Sequence, residues 1–169
     1  MLMIDAAPSN ANALENFWST ADQKGAKALE EGDAARAATL FEAPDWRGTA
    51  HYEAGDFRSS SAEFGKLDSA DALYNRGNAL ALSGDFQGAI DSYDKSLEAE
   101  PDRQDAIDNR ELVKSLLEQQ QQEQQGNDQD SNSDQSDQEG ESQDSESDSS
   151  QQEQDLSLIH ISEPTRPIA

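Results

Sequence analysis

Few residues in this chain could do chemistry. Its 169 residues include no cysteine and two histidines, His51 and His160. Without cysteine there is no thiolate nucleophile, no zinc–thiolate site and no disulfide. His51 lies beside Tyr52 in a helical stretch, with no cysteine or second histidine nearby, and reads as a structural residue. No Gly-x-x-x-x-Gly-Lys-Ser/Thr, Gly-x-Ser-x-Gly or His-Glu-x-x-His motif occurs. Carboxylates are abundant, with 36 Asp and Glu, so two of them being close carries no catalytic signal. The expectation is a non-enzymatic protein with no cofactor and no metal site.

One acidic spacing resembles a metal loop. Asp128, Asp130, Asn132, Asp134, Ser136 and Glu139 occupy the ligand positions of a twelve-residue calcium loop. Ser133 stands where that loop's sharp turn needs glycine, and no amphipathic helix follows. In a tract composed mostly of such residues, chance accounts for the match.

Charge narrows the partners. The formal net charge is −24. Gln119–Asp155 holds twelve acids and no Lys or Arg, while residues 1–118 hold 23 acids against 11 bases. Such a surface repels phosphate backbones and anionic lipid headgroups. No apolar run approaches the roughly 20 residues a membrane-spanning helix needs. What remains is recognition of protein or peptide, so the elements that would present a surface matter most.

Residues 1–13 read as a linker and 14–118 as a helical domain. Leu14, Phe17, Trp18 and Ala21 begin an apolar pattern at helical spacing. Three copies of Gly-x6-Gly-Asp then follow: Gly25…Gly32-Asp33, Gly48…Gly55-Asp56 and Gly77…Gly84-Asp85. The inner glycine predicts close approach of two helices. The Gly-Asp pair predicts a left-handed helix end followed by an N-cap. Helices are expected over residues 14–29, 34–41, 46–54, 57–67 and on both sides of Gly84-Asp85, with a stop at Pro101. A capping helix over about 104–118 follows, with Ile107, Leu112, Val113, Leu116 and Leu117 facing the stack and Glu111 replacing the inner glycine. The fold class is all-α: stacked helical hairpins, two shortened and one full.

The full unit, Ala70–Arg103, resembles a tetratricopeptide repeat (TPR). Leu73, Gly77, Leu80, Ala89, Tyr93 and Pro101 stand at that family's signature positions. Arg76 and Ser96 depart from it, standing where Leu and Ala are usual. The resemblance implies a partner-binding groove lined by Asp71, Tyr74, Asn75, Asn78 and Ala81, with Leu82 at its edge and Asp105, Asp108 and Asn109 on the next helix. The other reading of the two asparagines at equivalent positions, Asn75 and Asn109, is that they bond neighbouring helix turns. The groove's acids argue against a clamp for a peptide carboxylate and favour a basic or neutral segment.

The order of short hairpin, short hairpin, full repeat and Gln-rich tail is similar to the C-terminal region of bacterial von Willebrand factor A/TPR membrane proteins of the aerotolerance (Bat) type. The carrying stretches are Phe17–Gly25, Asp45–Phe57, Asp68–Leu97 and Asp108–Gln122. That resemblance implies a membrane-anchored scaffold at the inner membrane of a bacterial envelope, facing the periplasm, with other subunits of an envelope complex as partners and a membrane segment outside this chain. Two alternatives stay open: a free-standing TPR adaptor of co-chaperone type, and an acidic calcium-responsive spacer.

Residues 119–155 continue the last helix briefly as a Gln run. From Gly126 they hold only Ser, Asp, Gln, Glu, Asn and Gly, which predicts a disordered acidic tail. Leu156–Ala169 (LSLIHISEPTRPIA) breaks that composition and resembles the translation of a transposase-type sequencing adaptor. It is set aside from the functional reading.

Overall fold

Three Gly-Asp dipeptides set the chain's folding pattern. Gly32, Gly55 and Gly84 have φ of 80°, 76° and 84°, the left-handed region that glycine enters without a Cβ clash. In each copy the Asp amide reaches back five residues, to Ala28, His51 and Leu80, and closes the end of the preceding helix. The same Asp then caps the next helix. Asp33, Asp56 and Asp85 accept from the amides of Arg36, Ser59 and Gly88. Two residues thus end one helix and start another, leaving little freedom in the turn.

A computed structural model describes residues 19–130. Seven helices follow in order: α1 (Ala21–Glu30), α2 (Ala34–Leu40), α3 (Pro44–Glu53), α4 (Phe57–Phe64), α5 (Ala70–Leu82), α6 (Phe86–Ala99) and α7 (Gln104–Asp130). There is no strand among the described residues. Each helix packs on the one before and the one after, and α7 also reaches α5. That is the arrangement of stacked helical hairpins: α1/α2, α3/α4 and α5/α6, with α7 laid on the last.

The inner glycines do what their spacing predicts. A Cβ on Gly77 would lie 2.5 Å from Tyr93 Cε1, one on Gly25 2.7 Å from Phe41 Cδ1, and one on Gly48 3.0 Å from Phe64. Each aromatic stands sixteen residues after its glycine. The register is therefore identical in the three hairpins up to that aromatic. Only afterwards do they diverge: α6 continues to Ala99, whereas α2 stops at Leu40 and α4 at Phe64.

Some helix boundaries differ from expectation. α1 begins at Ala21 rather than Leu14, because Thr20 is extended and forms a reciprocal capping box with Gln23. Leu14, Phe17 and Trp18 lie outside the described residues. α4 ends at Phe64, not Leu67, and Gly65 caps it. α7 runs past Gly126, where the composition predicts the ordered part to end. A single glycine costs a helix only about 1 kcal/mol, and the surrounding Gln and Glu are good helix formers. Of the tail expected over 119–155, residues 119–130 belong to α7 and the rest lies outside the described residues, as do the expected linker over 1–13 and the adaptor-like segment.

Buried apolar residues form two clusters. One joins α1, α2 and α3 through Ala28, Ala37, Ala38, Phe41, Trp46 and Ala50, with Phe41 stacked on Trp46 at 5.6 Å. The other joins α5, α6 and α7 through Tyr74, Phe86, Ile90, Tyr93, Val113 and Leu116. Val113 and Leu116 face the stack as expected, Leu112 and Leu117 pack partly, and Ile107 is half-buried outside the cluster. The joint between the clusters is more polar. It holds buried Thr49 and Ser60 beside Phe64. Arg47 bridges α3 to Glu63 of α4 at 2.5 Å. Burial pushes the Glu63 carboxyl up, but hydrogen bonds from Arg47 and Lys66 outweigh it and hold the group below its ordinary range.

Candidate partner-binding groove

The groove builds up from the seam where α5 meets α7. Asn109 of α7 donates from Nδ2 to Tyr74 Oη at 3.2 Å and to Asn78 Oδ1 at 3.0 Å. Tyr93 of α6 donates to the same Asn78 oxygen at 2.7 Å. Three helices are thus fastened by one buried amide–phenol cluster. Burial raises the Tyr93 and Tyr74 hydroxyls above the usual phenol value, so both stay protonated and can serve as donors.

This placement corrects part of the expected groove. Tyr74, Asn75, Asn78 and Ala81 are 0–3 % exposed, so they form the wall and do not reach solvent. The Tyr74 hydroxyl and the Asn78 side-chain oxygen are tied up between helices. Asn109 is half-buried in the same cluster, and Leu82 is half-buried at the edge. Asp71, Asp105 and Asp108 are exposed and are the expected groove residues available for contact.

The signature residues occupy structural positions. Gly77, Ala89 and Tyr93 are buried between α5 and α6, and Leu80 packs at the core's edge. Leu73 is half-buried. Pro101 is exposed, just beyond the end of α6 at Ala99. The two departures from the family pattern have physical accounts. Ser96 donates to the Ala70 carbonyl at 2.8 Å, tying α6 to the start of α5. Arg76 is half-buried against Gly65, its Nε 3.5 Å from where a Cβ would stand, an ordinary contact distance. Arg110, its counterpart, pairs with Asp94 of α6 at 2.9 Å.

Charge on the hairpins' first helices follows this register. Counted from the inner glycine, or from Glu111 in α7, the sixth residue before is Asp71 in α5 and Asp105 in α7, Glu42 in the connection before α3, and Ser19 ahead of α1. The third before is Asp22, Asp45 or Asp108, and Tyr74 in α5. The fifth after is Glu30 in α1 and Glu53 in α3, but Leu82 in α5 and Leu116 in α7. The residue immediately before is always basic: Lys24, Arg47, Arg76 and Arg110. At about 100° per residue, the three acidic positions share an arc of about 80°, with the basic position about 120° or more away. On α5 and α7 the acids Asp71, Asp105 and Asp108 are exposed, while Arg47 pairs with Glu63 of α4, Arg76 lies against Gly65 and Arg110 pairs with Asp94 of α6. Some of the acids also shape the backbone: Asp22 accepts from the Glu42 amide at 2.9 Å.

Two further residues of the candidate groove were not legible from the family pattern. Tyr52, at the end of α3, is half-exposed and packs edge-on to Phe57 at 5.3 Å. Its register, four residues after Gly48, matches buried Ala81, and that offset was the available signal. The other is Arg103, in the connection before α7. Its guanidinium lies 4.3 Å from the centre of the Tyr74 ring, with Nη1 2.6 Å from Asp71 Oδ1 and 3.3 Å from Glu100. Among the described residues there is no group of three or more His, Cys, Asp or Glu placed to hold a metal ion. Asp128 and Asp130 of the calcium-like spacing lie on α7, and its other members are outside the described residues.

Stacked hairpins around a lined inner face define a helical-repeat interaction module. The tetratricopeptide repeat family model matches residues 70–103, so a repeat of that family lies over α5, α6 and the turn that follows. Such repeats are typically non-catalytic binding modules. No curated protein matches the chain.

Proposed function

We propose that the hairpin stack is a protein-interaction scaffold whose acid-lined inner face takes an extended, basic segment of a partner protein. The charge on the first helices carries this reading: Asp71, Asp105 and Asp108 are exposed on α5 and α7, and the residue before each inner glycine, or before Glu111, is basic. Opposite charge speeds encounter and fixes orientation more than it adds raw affinity, so the interaction should be salt-sensitive.

The test is binding of an oligo-arginine peptide to the full chain, followed by fluorescence anisotropy. Asp71→Asn, Asp105→Asn and Asp108→Asn together should weaken binding by about tenfold at low salt. A control triple, Glu31→Gln after α1 with Asp91→Asn and Glu98→Gln on α6, removes the same charge away from the α5–α7 seam. Equal losses in the two would sink the reading, because the acidic tail contributes the same background to both.

The hairpin order and Gln-rich extension support a more specific reading, in which the parent is a membrane-anchored A-domain/TPR protein of a bacterial envelope. No helix among the described residues is long and apolar enough to cross a membrane. Genomic sequence upstream of Met1 tests this: transmembrane helices preceded by an Asp-x-Ser-x-Ser A domain support it, and an unrelated upstream gene overturns it.

A further inference from the structure

Arg103 is out of character with its surroundings. It is a cation on the acidic side of the stack, and its side chain is only 12 % exposed. Its guanidinium carbon stands over the Tyr74 ring, 4.3 Å from the centroid and within cation–π reach. Asp71 closes the seat at 2.6 Å while keeping 70 % of its own side chain exposed. Tyr74 beneath is 1 % exposed. An aromatic floor with a carboxylate wall is a seat built for a guanidinium, and the chain fills it with its own.

We propose that Arg103 is an internal pseudo-ligand: it occupies the subsite in which an arginine of the partner segment stacks on Tyr74 and pairs with Asp71. This rests on the scaffold reading above and adds the residue type recognised and the contact that regulates access. Arg103 belongs to the short connection between α6 and α7, not to a helix, so its side chain can swing off without unpacking the core. Asp71 is the hinge of the exchange, since it can accept from either guanidinium. The partner must then displace Arg103, and its apparent affinity falls by the fraction of time the seat is open. Lysine fits less well, because its compact ammonium lacks the planar face and fork.

The test uses the full chain and short peptides of arginine, lysine or glutamate. Arg103→Ala should tighten oligo-arginine binding by about fivefold, with a smaller gain for oligo-lysine. Lys95→Ala removes an exposed base on α6 and controls for net charge. A gain no larger than that of Lys95→Ala overturns the pseudo-ligand, as does weaker binding in Arg103→Ala. Arg103→Gln, which keeps much of the stem's packing, repeats the comparison if the alanine variant unfolds. If wild type binds oligo-arginine and only the Arg103 comparison fails, the scaffold reading survives alone. If neither wild type nor the variants prefer oligo-arginine to oligo-glutamate, both fall.

Discussion

At the scale of single residues, burial decides which polar groups are structural. Asn78 and Asn109 look in sequence like groove donors, because their positions match those that line repeat grooves. The contacts show otherwise: one Asn78 oxygen accepts from both Tyr93 and Asn109 inside the α5–α7 seam. What hid this was the neighbour. The Tyr93 hydroxyl needs a buried acceptor, and a sequence does not say which residue fifteen positions away supplies it. Ser60 is the opposite case. It stands where Ala37 and Ala89 stand in the other hairpins, four residues after the capping Asp. It is 0 % exposed, and its hydroxyl has no hydrogen-bond partner among the described residues. An unmet buried hydroxyl costs about 1–3 kcal/mol. Ser60→Ala should therefore stabilise the protein by about 1 kcal/mol, seen as a rise of several degrees in the thermal midpoint. A fall in that midpoint would mean the hydroxyl has found a partner.

At the scale of elements, the Gly-Asp turns were the most legible feature and the aromatics the least. All three turns have their positive φ and their Asp caps as the motif requires, since each depends on two adjacent residues. The aromatic partner of each inner glycine, by contrast, lies on the opposite helix. Phe41 follows Ala37 and Ala38 at helical spacing although it stands at the cap just after α2, and spacing alone does not say which glycine its ring meets. The three contacts differ in closeness, which makes them a graded test. Adding a methyl to Gly77 meets the fully buried Tyr93 ring at 2.5 Å, to Gly25 meets Phe41 at 2.7 Å, and to Gly48 meets Phe64 at 3.0 Å. Overpacking costs about 1–3 kcal/mol, against a helix-propensity gain of up to about 1 kcal/mol. Urea denaturation should rank the Gly→Ala variants with Gly77→Ala the most destabilised and Gly48→Ala near neutral. If Gly48→Ala is the worst of the three, side-chain approach is not what requires glycine there.

At the scale of the whole molecule, the described helices form a short row of units with a polar joint in the middle. Stability in such a row is a sum of unit and nearest-neighbour terms, so it need not be uniform. The α1–α3 cluster is built largely from alanine around Phe41 and Trp46. The α5–α7 cluster buries two tyrosines, Phe86, Ile90, Val113 and Leu116 and is fastened by the Asn78–Asn109 bonds. Larger side chains remove more apolar surface from water, at about 25 cal/mol per Å², so the second cluster holds more tightly. Between them, Thr49, Ser60 and the Arg47–Glu63 bridge offer less apolar contact to couple the two. The first hairpins should therefore open while α5–α7 stays closed. Native-state hydrogen exchange tests this: amides in α5 and α6 should be the slowest, with those of α1 and α2 at least about tenfold faster, an opening free energy lower by about 1.4 kcal/mol. Equal protection from α1 through α6 would mean that the joint transmits folding fully, and that the two clusters behave as one core.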